Sequence, residues 1–349
     1  MSWEANVRKV VPYVPGEQPK IKNIIKLNTN ENPYSPSPLV YEAYKETDLD
    51  DYRKYPDPTC SELVDSIASF YGVKKENVFV GVGSDDVLSM AFLTFFNSDK
   101  PILFPDITYS FYDVWADLYR IPYKQIPLKD DFTIDPLDYY TENGGIVIAN
   151  PNAPTGAKMP LSEIEDVIKS NRDVVVIIDE AYVDFGAESA LPLIDKYDNL
   201  LVVRTYSKSR SLAGLRIGYA FGCEKLIGYL LDAKFSFNSY TMNMPSLKLG
   251  AAAMRDKEYF EKTVAKVVAT RERFEASLRE LGFEFADSST NFVFAKHPGK
   301  SGKEIFEHLR ANGIIVRRFD KPRISEYLRI SIGTDEEMDK LISVLKEFL

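Results

Sequence analysis

From about residue 78 onward, short apolar runs alternate with amphipathic stretches along the 349-residue chain. Val78-Phe79-Val80-Gly81-Val82, Pro101-Ile102-Leu103-Phe104 and Gly145-Ile146-Val147-Ile148-Ala149 each read as a strand. Helical spacing follows the first over about Asp85 to Phe96, the second over Ser110 to Tyr119, and the third near Ser162 to Ser170. Val174-Val175-Val176-Ile177-Ile178 and Leu200-Leu201-Val202-Val203 are apolar at every position, as central parallel strands covered on both faces require. This alternation predicts an α/β layered domain with a mostly parallel sheet.

The pattern differs at both ends. Residues 1–38 carry Pro12, Pro15, Pro19, Pro33, Pro36 and Pro38, which predicts an extended arm with little regular structure. After about Ser246 comes a long charge-laced helical pattern from Lys257 to Leu281. It leads into Thr290-Asn291-Phe292-Val293-Phe294-Ala295, a helix over Lys303 to Asn312, Ile314-Ile315-Val316, Tyr327-Leu328-Arg329-Ile330-Ser331-Ile332, and a last helix from Asp335. The expected organisation is an arm (1–35) packing on the small domain or a partner subunit, a large domain (36–246) and a smaller α+β C-terminal domain (247–349).

Composition narrows the function classes. The chain is 45% apolar and 27% charged, so disorder is not expected. A net charge of −9 and a pI near 5.1 argue against nucleic acid or an anionic membrane as partner. Cys60 and Cys223 are too few and too scattered for a disulfide framework or a structural metal site. Met1-Ser2-Trp3-Glu4 lacks a basic region followed by an apolar one, and no apolar run has the length of a spanning helix. A cytoplasmic protein is expected.

The chemistry concentrates just beyond the apolar runs, where α/β sheets bind ligands. Thr205-Tyr206-Ser207-Lys208 places a lysine among small and hydroxyl residues after a buried run, and Lys is rarely buried without a partner. Desolvation favours the neutral, nucleophilic amine that Schiff-base chemistry needs. Neighbouring hydroxyls and Arg216 suit a bound phosphate, so the group points to a pyridoxal-phosphate lysine. Asp179, ending another run, is costly unless paired; its partner is a pyridinium nitrogen, a structural cation or a metal. Tyr182 and Asn152, the latter in Asn150-Pro151-Asn152-Ala153-Pro154-Thr155-Gly156, are candidates for a ring oxygen, although the Asn152 segment also reads as a plain turn. Ser84 and Asp85 open a helix whose N–H groups suit phosphate, or are ordinary N-caps. Asp85 and Asp86 would repel an anion unless turned away. Tyr109 is a candidate stacking ring. His297 and His308 lie in a loop and a polar helix, which argues against histidine catalysis, and no G-x-G-x-x-G or Walker-type loop is present.

Taken in order, these residues resemble the fold-type-I pyridoxal-phosphate aminotransferases over nearly the whole chain, and Thr205-Tyr206-Ser207-Lys208-Ser209-Arg210-Ser211-Leu212-Ala213-Gly214 is similar to the class II signature. Within that family the chain is similar to the histidinol-phosphate aminotransferase branch. The similarity rests on Pro12-Tyr13-Val14-Pro15-Gly16-Glu17, Leu27-Asn28-Thr29-Asn30-Glu31-Asn32-Pro33, Tyr52-Arg53-Lys54-Tyr55-Pro56-Asp57-Pro58, Gly313-Ile314-Ile315-Val316-Arg317 and Leu328-Arg329-Ile330-Ser331-Ile332-Gly333.

The resemblance implies a role for each residue. Lys208 carries pyridoxal 5'-phosphate as a Schiff base (aldimine) and moves the proton. Asp179 pairs with the pyridine nitrogen, Asn152 and Tyr182 hold the ring oxygen, and Tyr109 stacks on the ring. Ser84, Asp85, Thr205, Ser207 and Arg216 hold the phosphate, joined by Tyr55 of the partner subunit in a homodimer. Tyr13, Asn32, Arg317 and Arg329 form the substrate site for histidinol phosphate and for glutamate or 2-oxoglutarate, with Arg318 a rival to Arg317 for the inward position. The family often has Asn at position 153 and Ala at 209; here stand Ala153 and Ser209, and neither is expected to carry chemistry. Rival readings are an aromatic amino acid aminotransferase, a threonine-phosphate decarboxylase, and a silent protein of the same fold, the last at odds with the intact Lys208, Asp179, Asn152 and Arg216.

Overall fold

The computed structural model describes residues 2–20 and 23–349. Its strands are β1 (Ile25–Lys26), β2 (Val78–Gly81), β3 (Ile102–Pro105), β4 (Tyr123–Ile126), β5 (Gly145–Ala149), β6 (Val176–Asp179), β7 (Leu200–Thr205), β8 (Gly218–Phe221), β9 (Phe292–Ala295), β10 (Ile314–Ile315), β11 (Arg317–Arg318) and β12 (Leu328–Ser331). Seven of them form one sheet in the order β2-β8-β7-β6-β5-β3-β4. β8 is antiparallel to both its neighbours, and the remaining pairs are parallel. Every residue of β5, β6 and β7 is buried, as their apolar runs require.

Alternate residues of these strands feed two cores. Val80, Ile178 and Val202 pack on one face with Leu63 and Ile67 of helix Ser61–Tyr71 and Leu247 and Ala253 of helix Met244–Arg255. Phe79, Ile177 and Val203 pack on the other with helices Ser84–Phe95, Tyr112–Tyr119 and Glu224–Phe237. Helix Met244–Arg255 is therefore part of the large layer, and the architecture changes at Asp256, not at Ser246.

Beyond Asp256, β9, β11 and β12 form an antiparallel sheet in the order β11-β12-β9. Helices Lys257–Glu280, Gly302–Ala311 and Asp335–Phe348 enclose a core that includes Phe274, Leu309, Ile330 and Leu341. The N-terminal arm is less irregular than its prolines suggest. β1 pairs in parallel with β10 of the small domain, Glu17 and Arg310 form an ion pair at 2.7 Å, and Tyr13 stacks on Phe111 of the large domain at 4.1 Å.

Candidate active site

Asp179 ends β6 at the carboxyl edge of the sheet, beside Ala149 of β5 and Val203 of β7. The Tyr112 hydroxyl donates to its Oδ2 at 2.8 Å and the Ala181 N–H to its Oδ1 at 3.2 Å. Burial outweighs both bonds and pushes the carboxyl up to about 6. None of the main influences on it is a cation. Lys208 follows β7 on the next strand over. Its Nζ donates to the Thr29 carbonyl at 3.2 Å and lies 5.7 Å from the Tyr182 ring centre.

Two cavities, of about 240 and 270 Å³, meet at this amine and share Thr29, Tyr109, Ala153, Tyr182 and Lys208 as walls. The first also contains Ser84, Asp85, Asp179, Thr205, Ser207 and Arg216. Helix Ser84–Phe95 points its first turn here, where N–H groups have no intrahelical acceptor. The close approach depends on Gly218: a Cβ there would stand 2.2 Å from both the Gly83 carbonyl carbon and the Ser84 nitrogen. Gly83 caps the helix at φ +86°, and the Arg216 guanidinium occupies the space its side chain would need. The Thr205 and Ser207 hydroxyls lie 3.0 Å apart at the same place. Asp86 is turned away, its carboxylate accepting from the Val82 N–H at 2.9 Å. Asp85 remains at the cradle, where it takes the Tyr109 hydroxyl at 2.7 Å and Arg216 Nη2 at 3.0 Å. An incoming phosphate would therefore compete with Asp85 for Arg216.

The second cavity is lined by Tyr13, Arg317 and Arg329. Arg317 and Arg329 are directly paired across β11 and β12, so both side chains leave the same face of the sheet. Arg329 Nη2 donates to the Asn28 carbonyl at 3.0 Å, while its buried Nε has no partner among the described residues. Burial lowers the Arg329 pKa, and the neighbouring Arg317 charge lowers it further. Two like charges and an unmatched donor at one cavity wall describe an anion seat. Arg318 faces away, donating to the Ser325 carbonyl at 2.9 Å with Asp320 at 3.5 Å, which makes Arg317 the inward arginine.

Three of the predicted residues are not brought to these walls. Both Asn152 N–H groups are engaged, with the Ile107 carbonyl at 2.8 Å and Thr155 at 3.0 Å, and its oxygen accepts from Thr108 at 2.8 Å. Asn32 instead donates to the Lys208 carbonyl at 3.0 Å, bracing the lysine's backbone. Tyr55 is 81% exposed, rests on Tyr240 with ring centres 4.6 Å apart, and lines a separate cavity. Conversely, sequence reasoning missed Thr29, Tyr112 and Asn30, whose amide donates to the Tyr182 oxygen at 2.9 Å. Tyr112 gave no signal as one of 21 tyrosines, and Thr29 and Asn30 lie in the segment 27–33, which carried the branch similarity without a role for either.

Residues 22–345 match the family model of class I and II aminotransferases. The histidinol-phosphate aminotransferase of Lactococcus lactis subsp. cremoris is 52% identical over 349 residues, covering all of this chain and 98% of its own. That of Brachyspira hyodysenteriae is 52% identical over 340 residues, covering 97% of this chain and 96% of its own. Among solved structures, the histidinol-phosphate aminotransferase from Sinorhizobium meliloti in complex with pyridoxal-5'-phosphate is similar with a TM-score of 0.84 at 24% identity, covering 93% of this chain and 92% of that one. That likeness shows the fold.

Proposed function

The chain belongs to the class I and II aminotransferases, and we propose that it interconverts histidinol phosphate and 2-oxoglutarate with imidazole acetol phosphate and glutamate, using pyridoxal 5'-phosphate in a cytoplasmic homodimer. One observation carries the reading. A lysine amine and a buried carboxylate, neither in an ion pair among the described residues, line the same cavity, with an anion cradle on one side and two arginines on the other.

The residues present fit this cofactor by their own chemistry. Asp179, raised by desolvation, is relieved by a cation and so would hold a proton on the pyridine nitrogen. Tyr182 accepts from Asn30, which leaves its own proton free to donate to the ring oxygen. Asn152 would have to release Thr155 or the Ile107 carbonyl to join it, so Tyr182 is the donor already free for that oxygen. The Ser84 end of the helix, Thr205, Ser207 and Arg216 would hold the phosphate, and Tyr109 would form a wall beside the ring. When bound, the cofactor supplies an electron sink for the pair left on the substrate Cα. Lys208 Nζ would carry the proton from the substrate Cα to the cofactor's aldehyde-derived carbon in one half-reaction and back from that carbon to Cα of the second substrate in the other. Arg329 and Arg317 seat the substrate's anions, the carboxylates of glutamate in one half-reaction and the phosphate of histidinol phosphate in the other.

Tyr55 supports the homodimer. Its ring and those of Tyr240 and Phe237 are exposed, as a surface covered by another protein would be. We place Tyr55 of the partner subunit at the phosphate cradle.

The test is a panel of kcat/KM values for histidinol phosphate, phenylalanine and glutamate, in the parent and in Arg317→Ala. Histidinol phosphate should be preferred, and Arg317→Ala should cost it roughly ten- to a hundredfold, the loss of one charge-assisted contact. Glutamate should lose less. Equal loss for every substrate would favour the aromatic reading, and release of carbon dioxide from threonine phosphate would favour the decarboxylase. A protein that takes up no pyridoxal 5'-phosphate would sink the proposal altogether.

A further inference from the structure

The chain following Lys208 is held at successive residues by different parts of the protein. Asn32 donates to the Lys208 carbonyl at 3.0 Å. The Ser209 hydroxyl donates to Asp184 Oδ2 at 2.6 Å. Arg210 donates to the Ala253 carbonyl at 3.0 Å and lies 4.1 and 4.5 Å from the ring centres of Phe260 and Phe70. Behind them sits a buried charge cluster. Arg204 donates to Glu180 through Nε at 3.0 Å, with its Nη2 2.8 Å from the same carboxylate and donating to the Ser189 hydroxyl at 2.7 Å, and reaches Asp184 with Nη1 at 3.4 Å. Arg204 and Glu180 adjoin Thr205 and Asp179 in the chain, so the cluster backs the cavity wall.

Within this cluster the Arg204 guanidinium contacts both carboxylates, and the Arg210 charge acts on Asp184 without a hydrogen bond to it. Glu180 takes the shorter bonds and further donors, the Ala190 N–H at 2.6 Å and the Ser189 hydroxyl at 2.8 Å. Asp184 is left with the long contact to Arg204, and the Ser209 hydroxyl meets that shortfall. Hydrogen bonds to an ionised acceptor are short and strong. The hydroxyl at position 209, expected to be idle, thus joins the residue beside the lysine to the loop that carries Tyr182.

We propose that Ser209 and Asp184 are positioning residues for Lys208: their hydrogen bond fixes the backbone from which the lysine springs, and so the place of its Nζ in the cavity. A lysine stem is flexible, so a fixed root restricts the amine together with the bond from Nζ to the Thr29 carbonyl. The inference rests on the functional reading of Lys208 given above.

The experiment compares the parent with Ser209→Ala, Asp184→Asn and the hydroxyl-retaining Ser209→Thr. In cofactor-free protein, labelling of Lys208 by trinitrobenzenesulfonate is followed across pH by peptide mass spectrometry. In a second arm, pyridoxal 5'-phosphate affinity, kcat and KM are measured beside Tm. Ser209→Ala and Asp184→Asn should shift the pH profile of Lys208 labelling, weaken cofactor binding roughly three- to tenfold, and lower kcat with KM unchanged. Ser209→Thr should resemble the parent. Unchanged labelling in Ser209→Ala overturns the proposal, as does a loss of activity that tracks a fall in Tm equally in Ser209→Ala and Ser209→Thr. A parent that takes up no cofactor defeats the functional reading, and the labelling profiles then decide the positioning by themselves.

Discussion

Asp179 ends a strand whose other residues are all apolar and buried, and its carboxyl is driven from 3.8 up to about 6. Because the folded value lies above the unfolded one, the native state holds a proton between these limits that the unfolded chain has lost. Stability therefore falls as pH rises through that window, and the full cost, about 3 kcal/mol, is present above it. Without cofactor, Asp179→Asn should raise Tm at pH 8 and leave it nearly unchanged at pH 4, as measured by thermal unfolding. An equal effect at both values would mean that the carboxylate carries no desolvation cost. The same cost made Asp179 and Lys208 legible in the sequence, since a charge beside an apolar run demands an explanation. Asn152 and Asn32 were less legible, because an amide can be satisfied by neighbouring backbone as well as by a ligand, and here each is.

Among the elements, β5, β6 and β7 were legible because burial on both faces requires unbroken apolar runs. β4 was not, being an edge strand with Tyr123, Lys124 and Gln125 exposed. β8 was not either. It begins at Gly218, immediately after the Arg216 loop, and its place between β2 and β7 is set by pairing that no local pattern records. That hidden strand matters to the site, since Gly218 lets the helix start approach to where a Cβ would collide with the Gly83 and Ser84 backbone. Gly218→Ala should therefore push the cradle open. We expect affinity for pyridoxal 5'-phosphate to fall at least tenfold and stability by about 1–3 kcal/mol, the usual cost of overpacking. Titration with the cofactor and denaturant unfolding check the two separately; parent-like affinity would show that the close approach serves packing alone.

At the scale of the whole molecule, the prolines announced an arm, but its destination was hidden: Ile25 pairs with Ile314 from the opposite end of the chain. The register that sets Arg317 beside Arg329 is likewise a property of the assembled sheet. Tyr55 extends this reasoning beyond one chain. In a single copy it stands 81% exposed in a cavity that contains neither Lys208 nor Arg216, so the role proposed for it at a cofactor phosphate would require another subunit. Complementation tests this directly. In the proposed homodimer, Tyr55→Ala would leave its own Lys208 intact but deprive its partner of a phosphate contact, whereas Lys208→Ala would be inactive in its own site yet could lend Tyr55. In a mixed dimer one site regains both residues. After co-refolding, activity should exceed that of either variant alone, and the gain should disappear when the variants are mixed without exchange of subunits. If co-refolded mixtures show only the weighted average of the two parents, each site is complete within one chain, and the shared site falls while the chemistry assigned to Lys208 and Asp179 is untouched.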